Sequence, residues 1–245
     1  MSIAPSFPLA TRAPRAIHRA YRWAVSTVRS NATIHRGLFG YWPSPEVRGQ
    51  LWDWTTLVLK TALRRYGRPG TSLLDMGTGP AGVLAIYAKT ALRFGDVCGA
   101  DHVAAFLPLA RAAATRCGAL VDFRESSLFS AVSGRYDLIC FNSPYVPDTL
   151  GRRLGAFKNE LERQRWSGGQ DGLGTVRPFL SEAPAHLTRT GLLLLGVNHF
   201  YVEPEALGRV VADAGLEEVA TIRNRLTLAC VHVLRSSDDA IRSGP

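Results

Sequence analysis

No stretch of the chain is apolar for anything near the roughly 18 residues that a membrane span requires. The longest apolar runs, such as Leu192 to Leu195, are only a few residues long, so no membrane partner is expected. Cysteine is scarce. Cys98, Cys117, Cys140 and Cys230 stand apart, with no C-x-x-C pair. That spacing argues against a disulfide framework or a zinc ribbon, and no metal site is expected. It suits a reducing, cytoplasmic compartment. Acids are missing from the N-terminus: no Asp or Glu precedes Glu46, whereas Arg12, Arg15, Arg19, Arg22, Arg29 and Arg36 all do. Those arginines carry most of a net charge of +9, because the rest of the chain has 23 bases against 20 acids. No continuous apolar segment follows the first charges, which argues against a secretory signal. Arginine-rich, acid-poor N-termini also occur in organelle transit peptides. No internal repeat is visible.

What is present suits a folded domain. The chain has 245 residues, 46% apolar and 20% charged, enough to bury a core without staples. Ile17, Ala20, Tyr21, Ala24, Val25 and Val28 recur at helical spacing between Arg15 and Arg29. Residues 1–50 are therefore expected to form a basic helical arm or cap. Such an arm can bind RNA, acidic lipid or an acidic protein, though a solvated amphipathic helix is the simpler reading. Residues 51–236 form the main domain and 237–245 a polar tail. Seven strands are expected, near residues 72–76, 96–100, 120–124, 136–141, 191–197, 215–222 and 226–234. Helices are expected at 55–66, 80–94, 104–117, 175–187 and 204–214. Alternating units of this kind make an α/β, Rossmann-like, mainly parallel sheet, with the last two strands antiparallel neighbours. Pro147 to Asp171 is long, polar and glycine-rich, and reads as a functional lid or an insert.

Ligands of such sheets sit outside the carboxyl ends of the strands. Asp75-Met76-Gly77-Thr78-Gly79-Pro80-Ala81-Gly82 lies there. Gly77, Gly79 and Gly82 satisfy the G-x-G-x-x-G dinucleotide pattern, and Asp101 stands where an acid would bind ribose hydroxyls. The same turn also builds the S-adenosylmethionine site of class I methyltransferases, in which an acid precedes the first glycine, as Asp75 does. A hydride-transfer enzyme and a methyltransferase are both open on this loop alone.

Asn142-Ser143-Pro144-Tyr145 follows the fourth strand. Methyl transfer from a sulfonium is an in-line displacement onto a nitrogen lone pair, and acceptors for the N–H groups aim that lone pair. The Asn142 side-chain oxygen and the Ser143 carbonyl are candidate acceptors. Pro144 biases Ser143 toward an extended conformation. Tyr145 can stack on a planar substrate or face the cationic methyl.

This tetrapeptide resembles the Asn-Pro-Pro-Tyr signature of amino- and amide-nitrogen methyltransferases. From Phe39 to Leu234 the chain resembles the HemK/PrmC-like group, which includes N5-glutamine methyltransferases. Gly40 to Glu46 is similar to the family's proline-rich segment, Leu74 to Gly79 to its cofactor loop, and Ser167 to Leu173 to its Gly-Gly-x-Asp-Gly-Leu turn. The resemblance implies S-adenosyl-L-methionine as cofactor. It implies that Asp75, Gly77, Thr78 and Gly79 shape the methionine pocket and that Asp101 binds the ribose. It implies that Ser126 or Ser127 meets the adenine, and that Asn142 and Tyr145 orient the substrate nitrogen and the methyl group. The chain departs from the pattern at Ser126-Ser127, where Gly-Asp is usual, and at Ser143, which keeps the carbonyl but loses rigidity. The segment ahead of the domain is also short. These departures point to another acceptor than release-factor glutamine.

Other candidates carry weaker signals. His102 is expected at the adenine or ribose edge, or in a solvated loop. His199, just past the fifth strand, is a candidate substrate contact or proton acceptor. Phe39, Tyr41 and Trp42 are expected to line the substrate pocket with Ser143 and Pro144, whereas Trp52 and Trp54 read as helix core. Trp166 reads as a lid residue or simple packing. The expected function is methyl transfer to an amide or amine nitrogen of a protein, peptide or small molecule. The alternatives are adenine N6 methylation of nucleic acid, use of the cofactor without methyl transfer (ring closure or aminopropyl chemistry), and a non-catalytic binding module.

Overall fold

The computed structural model describes residues 26–47, 49, 51–157 and 159–237. The expected arm helix up to residue 25 and the tail from residue 238 lie outside the described residues. Apolar segments alternate with capped amphipathic ones, and this alternation sets the element order. Helix α1 is Ala32–Phe39 and α2 is Trp54–Tyr66. Strand β1 (Leu73–Met76) leads to α3 (Val83–Thr90), then β2 (Val97–Asp101) to α4 (Leu107–Arg116). Strands β3 (Asp122–Glu125) and β4 (Tyr136–Asn142) follow. Next come α5 (Asp148–Leu154), α6 (Glu160–Trp166) and α7 (Val176–Glu182). Strand β5 (Leu187–Asn198), α8 (Pro204–Asp213), β6 (Leu216–Arg223) and β7 (Ala229–Ser236) complete the domain.

The strands form one seven-stranded sheet in the order β3-β2-β1-β4-β5-β7-β6. The first five are parallel, and β7 runs antiparallel to both β5 and β6. Successive strand residues face opposite sides, so the sheet feeds two cores. Leu73, Leu138 and Leu194 pack under Leu59 and Leu63 of α2 and Ile86 of α3. Leu74, Ile139 and Leu193 pack under Phe179 and Leu180 of α7 and Leu207 of α8. Chain order reverses between β1 and β4, which opens the crevice where ligands of such sheets bind.

Several boundaries differ from the sequence reading. Residues 77–82 form a turn, and α3 starts at Val83 rather than at Pro80. Gly82 at its N-cap has φ +57°, left-handed backbone that cannot lie inside a right-handed helix. The expected helix at 175–187 breaks at Glu182 into a 3₁₀ turn, Ala183–His186. Pro184 has no N–H with which to continue the α ladder. The polar stretch from Pro147 to Asp171, expected as a lid or insert, contains α5 and α6. Phe39 and Tyr41 lie ahead of the expected boundary at residue 50, yet both are buried in the core of the sheet. The Tyr41 hydroxyl donates to the Ala81 carbonyl at 2.8 Å, which ties this segment to the glycine turn.

Candidate active site

A cavity of about 410 Å³ opens at the carboxyl ends of β1, β2 and β4. Its size falls in the range of roughly 300–1,000 Å³ usual for small-molecule sites. Asp75, Gly77, Thr78, Gly79, Asp101, His102, Ser126, Ser127, Asn142, Ser143 and Pro144 all line it. Five other candidates do not. Phe39 and Tyr41 are buried in the core, and Trp42 is 41% exposed. The Arg36 guanidinium lies 5.0 Å from the Trp42 ring centroid, so that ring is engaged at the surface. Tyr145 is buried behind the cavity wall and His199 faces His232 instead.

The floor is built by β1 and the turn after it. Asp75 is buried and accepts from the Thr78 hydroxyl at 2.8 Å and the Ala85 N–H at 3.2 Å. The Cys140 thiol donates to its other oxygen at 3.3 Å. Desolvation raises the Asp75 carboxyl to about 6, against the pull of these donors. Gly79 has φ +67°, and a Cβ there would meet nothing within 4 Å, so the turn leaves open space at the rim. Asp101 closes the opposite side. Its Oδ2 accepts from the Gly79 N–H and its Oδ1 from the Val103 N–H, both at 2.9 Å. His102 stands exposed beside it. Ser126 is buried, and its hydroxyl donates to the Leu128 carbonyl at 2.6 Å while accepting from the Ala131 N–H. That hydroxyl is committed to the turn after β3, whereas Ser127 is exposed at the cavity.

The roof contains a residue that sequence reasoning missed. Asp53 caps α2 and forms a capping box with Thr56. Its Oδ1 accepts from the Thr56 N–H at 2.7 Å and from the Asn142 amide nitrogen at 3.1 Å. Its Oδ2 accepts from the Tyr145 hydroxyl at 3.2 Å, and Thr55 Oγ1 lies 3.2 Å from the same hydroxyl. A carboxylate only accepts. The amide nitrogen of Asn142 must therefore face Asp53, which turns Oδ1 the other way. That oxygen is buried and has no partner among the described residues. The Tyr145 hydroxyl is pushed well above its ordinary value by burial and by the Asp53 charge, so it stays a neutral donor.

The strand behind makes this approach possible. A Cβ at Gly196 of β5 would lie 2.7 Å from Thr55 and 2.9 Å from Leu59. Only glycine lets α2 settle close enough for its cap to reach the loop. Ser143 is better tethered than its departure from proline suggests. Its N–H and hydroxyl both donate to the Gly196 carbonyl, at 3.3 and 3.1 Å. The Gly-Gly turn is joined to the same loop. Gly168 donates to the Val146 carbonyl and Val146 to the Trp166 carbonyl, both at 2.9 Å. Gly172 lies so close to the Tyr145 carbonyl that a Cβ would approach it to 2.7 Å. Gln164, Arg165 and Trp166 of α6 thereby reach the cavity wall, as does Trp52, which precedes α2 rather than lying inside it. Burial lowers the Arg165 guanidinium, opposed by the Asp53 and Asp101 charges.

No family model matches the chain. It is 36% identical over 155 residues to the release factor glutamine methyltransferase of Deinococcus radiodurans, covering 62% of this chain and 52% of that protein. It is 33% identical over 132 residues to the ribosomal protein uL3 glutamine methyltransferase of Bordetella pertussis, covering 51% and 43%. A putative protein N5-glutamine methyltransferase of Methanocaldococcus jannaschii is 26% identical over 138 residues, with 56% and 67% covered. The chain spans about half the length of the Deinococcus relative. Among solved structures, a methyltransferase from Pyrococcus furiosus superposes with TM-score 0.59 at 18% identity, covering 90% of this chain and 96% of that one. A 16S rRNA N2 G1207 methyltransferase from Thermus thermophilus, in complex with AdoMet and guanosine, gives 0.55 at 16% identity, covering 80% and 46%.

Proposed function

We propose that the chain is an S-adenosylmethionine-dependent N-methyltransferase of the HemK/PrmC-like kind, acting on an amide or amine nitrogen of a protein; its sequence relatives and its class I methyltransferase-like fold support this. One observation carries the reading: the buried Asn142 Oδ1, which has no partner among the described residues, beside the turn from Asp75 to Gly79. An orphaned buried acceptor costs about 1–3 kcal/mol, so its retention at a cavity wall argues for a donor that arrives with the ligand. A substrate N–H is such a donor.

The cavity fits the cofactor by chemistry as well as size. The acid Asp101 suits ribose hydroxyls, the open face of Gly79 lets a ligand approach the backbone, and the exposed Ser127 hydroxyl suits an adenine amine. When bound, the cofactor supplies an electrophilic methyl group on a sulfonium. The protein supplies aim. Asp53 holds the Asn142 amide so that Oδ1 accepts one substrate N–H, and the Ser143 carbonyl is a second acceptor. Two acceptors on one nitrogen draw its lone pair out of conjugation with the amide. Tyr145 is inferred to act from behind Asn142, through Asp53, rather than by facing the methyl. The named curated relatives are protein glutamine methyltransferases, which favours a protein amide over an adenine base or methyl-free chemistry. No helix among the described residues is long and apolar enough to cross a membrane.

The test is methyl transfer to glutamine peptides of release-factor and ribosomal-protein type, read by mass spectrometry, with cofactor affinity by calorimetry. Asn142→Ala is expected to lose at least about 100-fold in kcat while cofactor affinity stays within a few fold. Unchanged turnover in that variant would overturn the assignment.

A further inference from the structure

A second cluster of side chains lies away from this cavity. His199 follows β5, and Cys230 and His232 alternate on one face of β7. The antiparallel register places Val197 opposite Cys230 and Leu195 opposite His232, which brings all three side chains to one end of β5. His199 Nε2 lies 3.0 Å from His232 Nε2, and Cys230 Sγ lies 3.6 Å from the same atom. The three donor atoms are all within 4.8 Å of one another. Cys230 and His232 are buried and His199 is half-buried.

The outer ring nitrogens decide what the inner ones can be. His199 Nδ1 is 3.0 Å from the Val202 carbonyl, and His232 Nδ1 is 2.5 Å from Glu218 Oε2. Glu218 is itself held by the Thr221 hydroxyl. A carbonyl and a carboxylate both accept, so each Nδ1 carries the proton. In the neutral rings, both Nε2 atoms are then bare lone pairs that face each other at hydrogen-bond distance. Two lone pairs do not bond, and only a cation between them makes the arrangement favourable. A shared proton would satisfy the rings, with the sulfur left to the side chain of Arg223, its cross-strand neighbour on β6. A metal ion uses all three donors.

We propose that His199 Nε2, His232 Nε2 and Cys230 Sγ form a binding site for a divalent transition metal of the zinc type. Tetrahedral zinc has Zn–N near 2.0–2.1 Å and Zn–S near 2.3 Å, which places ligand nitrogens about 3.3 Å apart and sulfur about 3.6 Å from nitrogen. Here the two nitrogens are 3.0 Å apart and the sulfur is 3.6 Å from His232 Nε2, with His199 Nε2 within 4.8 Å of the sulfur. Two imidazoles and a thiolate select against magnesium and calcium, which take oxygen ligands. The carbonyl and carboxylate on the far nitrogens are the second shell that fixes metal-binding tautomers. Binding displaces the thiol proton to solvent, and the fourth tetrahedral position is left to water. The ion fastens the 199–202 turn to β7, and this turn carries Tyr201, whose ring stacks on Tyr145 at 5.7 Å.

The full chain, stripped with a chelator, is titrated with zinc against a chromophoric competitor, and with cobalt(II) followed by absorption. One equivalent of zinc with micromolar or tighter affinity is expected, together with a thiolate-to-cobalt charge-transfer band and tetrahedral visible bands. Cys230→Ser abolishes the charge-transfer band. Both Cys230→Ser and His199→Gln weaken zinc at least 100-fold, and Glu218→Gln weakens it about 10–100-fold. Cys117→Ser, a distant thiol, changes nothing. Circular dichroism checks that each variant folds, and the wild-type cobalt spectrum decides the matter if one does not. Substoichiometric binding, a cobalt spectrum without the thiolate band, or wild-type affinity in both ligand variants would overturn the site.

Discussion

Replacing Asp53 with alanine removes one carboxylate that serves three partners: the α2 cap, Asn142 and Tyr145. The cap contributes about 1 kcal/mol, and a charge-assisted hydrogen bond about 1.5–3 kcal/mol. Thr55 and Thr56 keep a contact with Tyr145 and Asn142, so the losses do not simply add. A net destabilisation of about 2–3 kcal/mol follows, or about 4–12 °C in Tm for a chain of this size. The catalytic loss has a separate origin. Without the acceptor-only carboxylate, the Asn142 amide has no reason to present its oxygen rather than its nitrogen. Losing 1.5–3 kcal/mol of orientation lowers kcat about 10–150-fold, at 1.4 kcal/mol per factor of ten. Asp53→Asn separates the two effects. It keeps an oxygen for the cap and for Asn142, and its amide nitrogen donates to the Tyr145 hydroxyl. The expected result is near-native stability with kcat within about tenfold. The assay is steady-state methylation at saturating cofactor, beside thermal unfolding and cofactor calorimetry. If Asp53→Ala lowers Tm but leaves kcat untouched, Asp53 merely caps a helix and the positioning argument fails.

Other outcomes follow from the same geometry. Asp101→Ala should weaken the cofactor about 10–100-fold by calorimetry, with kcat at saturation largely kept; unaltered affinity would refute its place at the ribose. Asp75 binds its proton more tightly folded, at about 6, than an ordinary aspartate near 3.8. Its contribution to stability is therefore largest below pH 4 and falls as pH rises toward 6, by up to about 3 kcal/mol. Urea unfolding of Asp75→Asn should show this loss removed between pH 4 and 7, and parallel pH profiles for the two proteins would contradict the shift.

Much of the fold was legible because its strands are short apolar runs at sheet-like spacing, each followed by a turn. Asp75, Asp101 and Asn142 could be placed because strand ends are where such sheets bind ligands. Asp53 escaped notice because Asp53-x-x-Thr56 has the signature of a helix cap, and nothing local says that the capping carboxylate has a second oxygen to spare. The insert hid its helices because α5 and α6 are seven residues each, too short for a periodicity to show. Tyr145 reads as a cavity residue from its neighbours, but it follows Pro144 into the interior to meet Asp53. His199 stands some 30 residues ahead of Cys230 and His232, and only the β5–β7 register brings it to them.

Val146 and Ser167 pair as neighbouring strands do, so the insert enters and leaves the domain across a single rung. Its closure is therefore independent of its contents. Whatever lies between those two positions can be lengthened, shortened or exchanged without rethreading the sheet. The present contents put a glutamine, an arginine and a tryptophan against the cavity wall. A cassette of this kind can change what faces the cavity while the sheet stays as it is, provided its replacement restores the packing that Phe157 and Trp166 make on the second core.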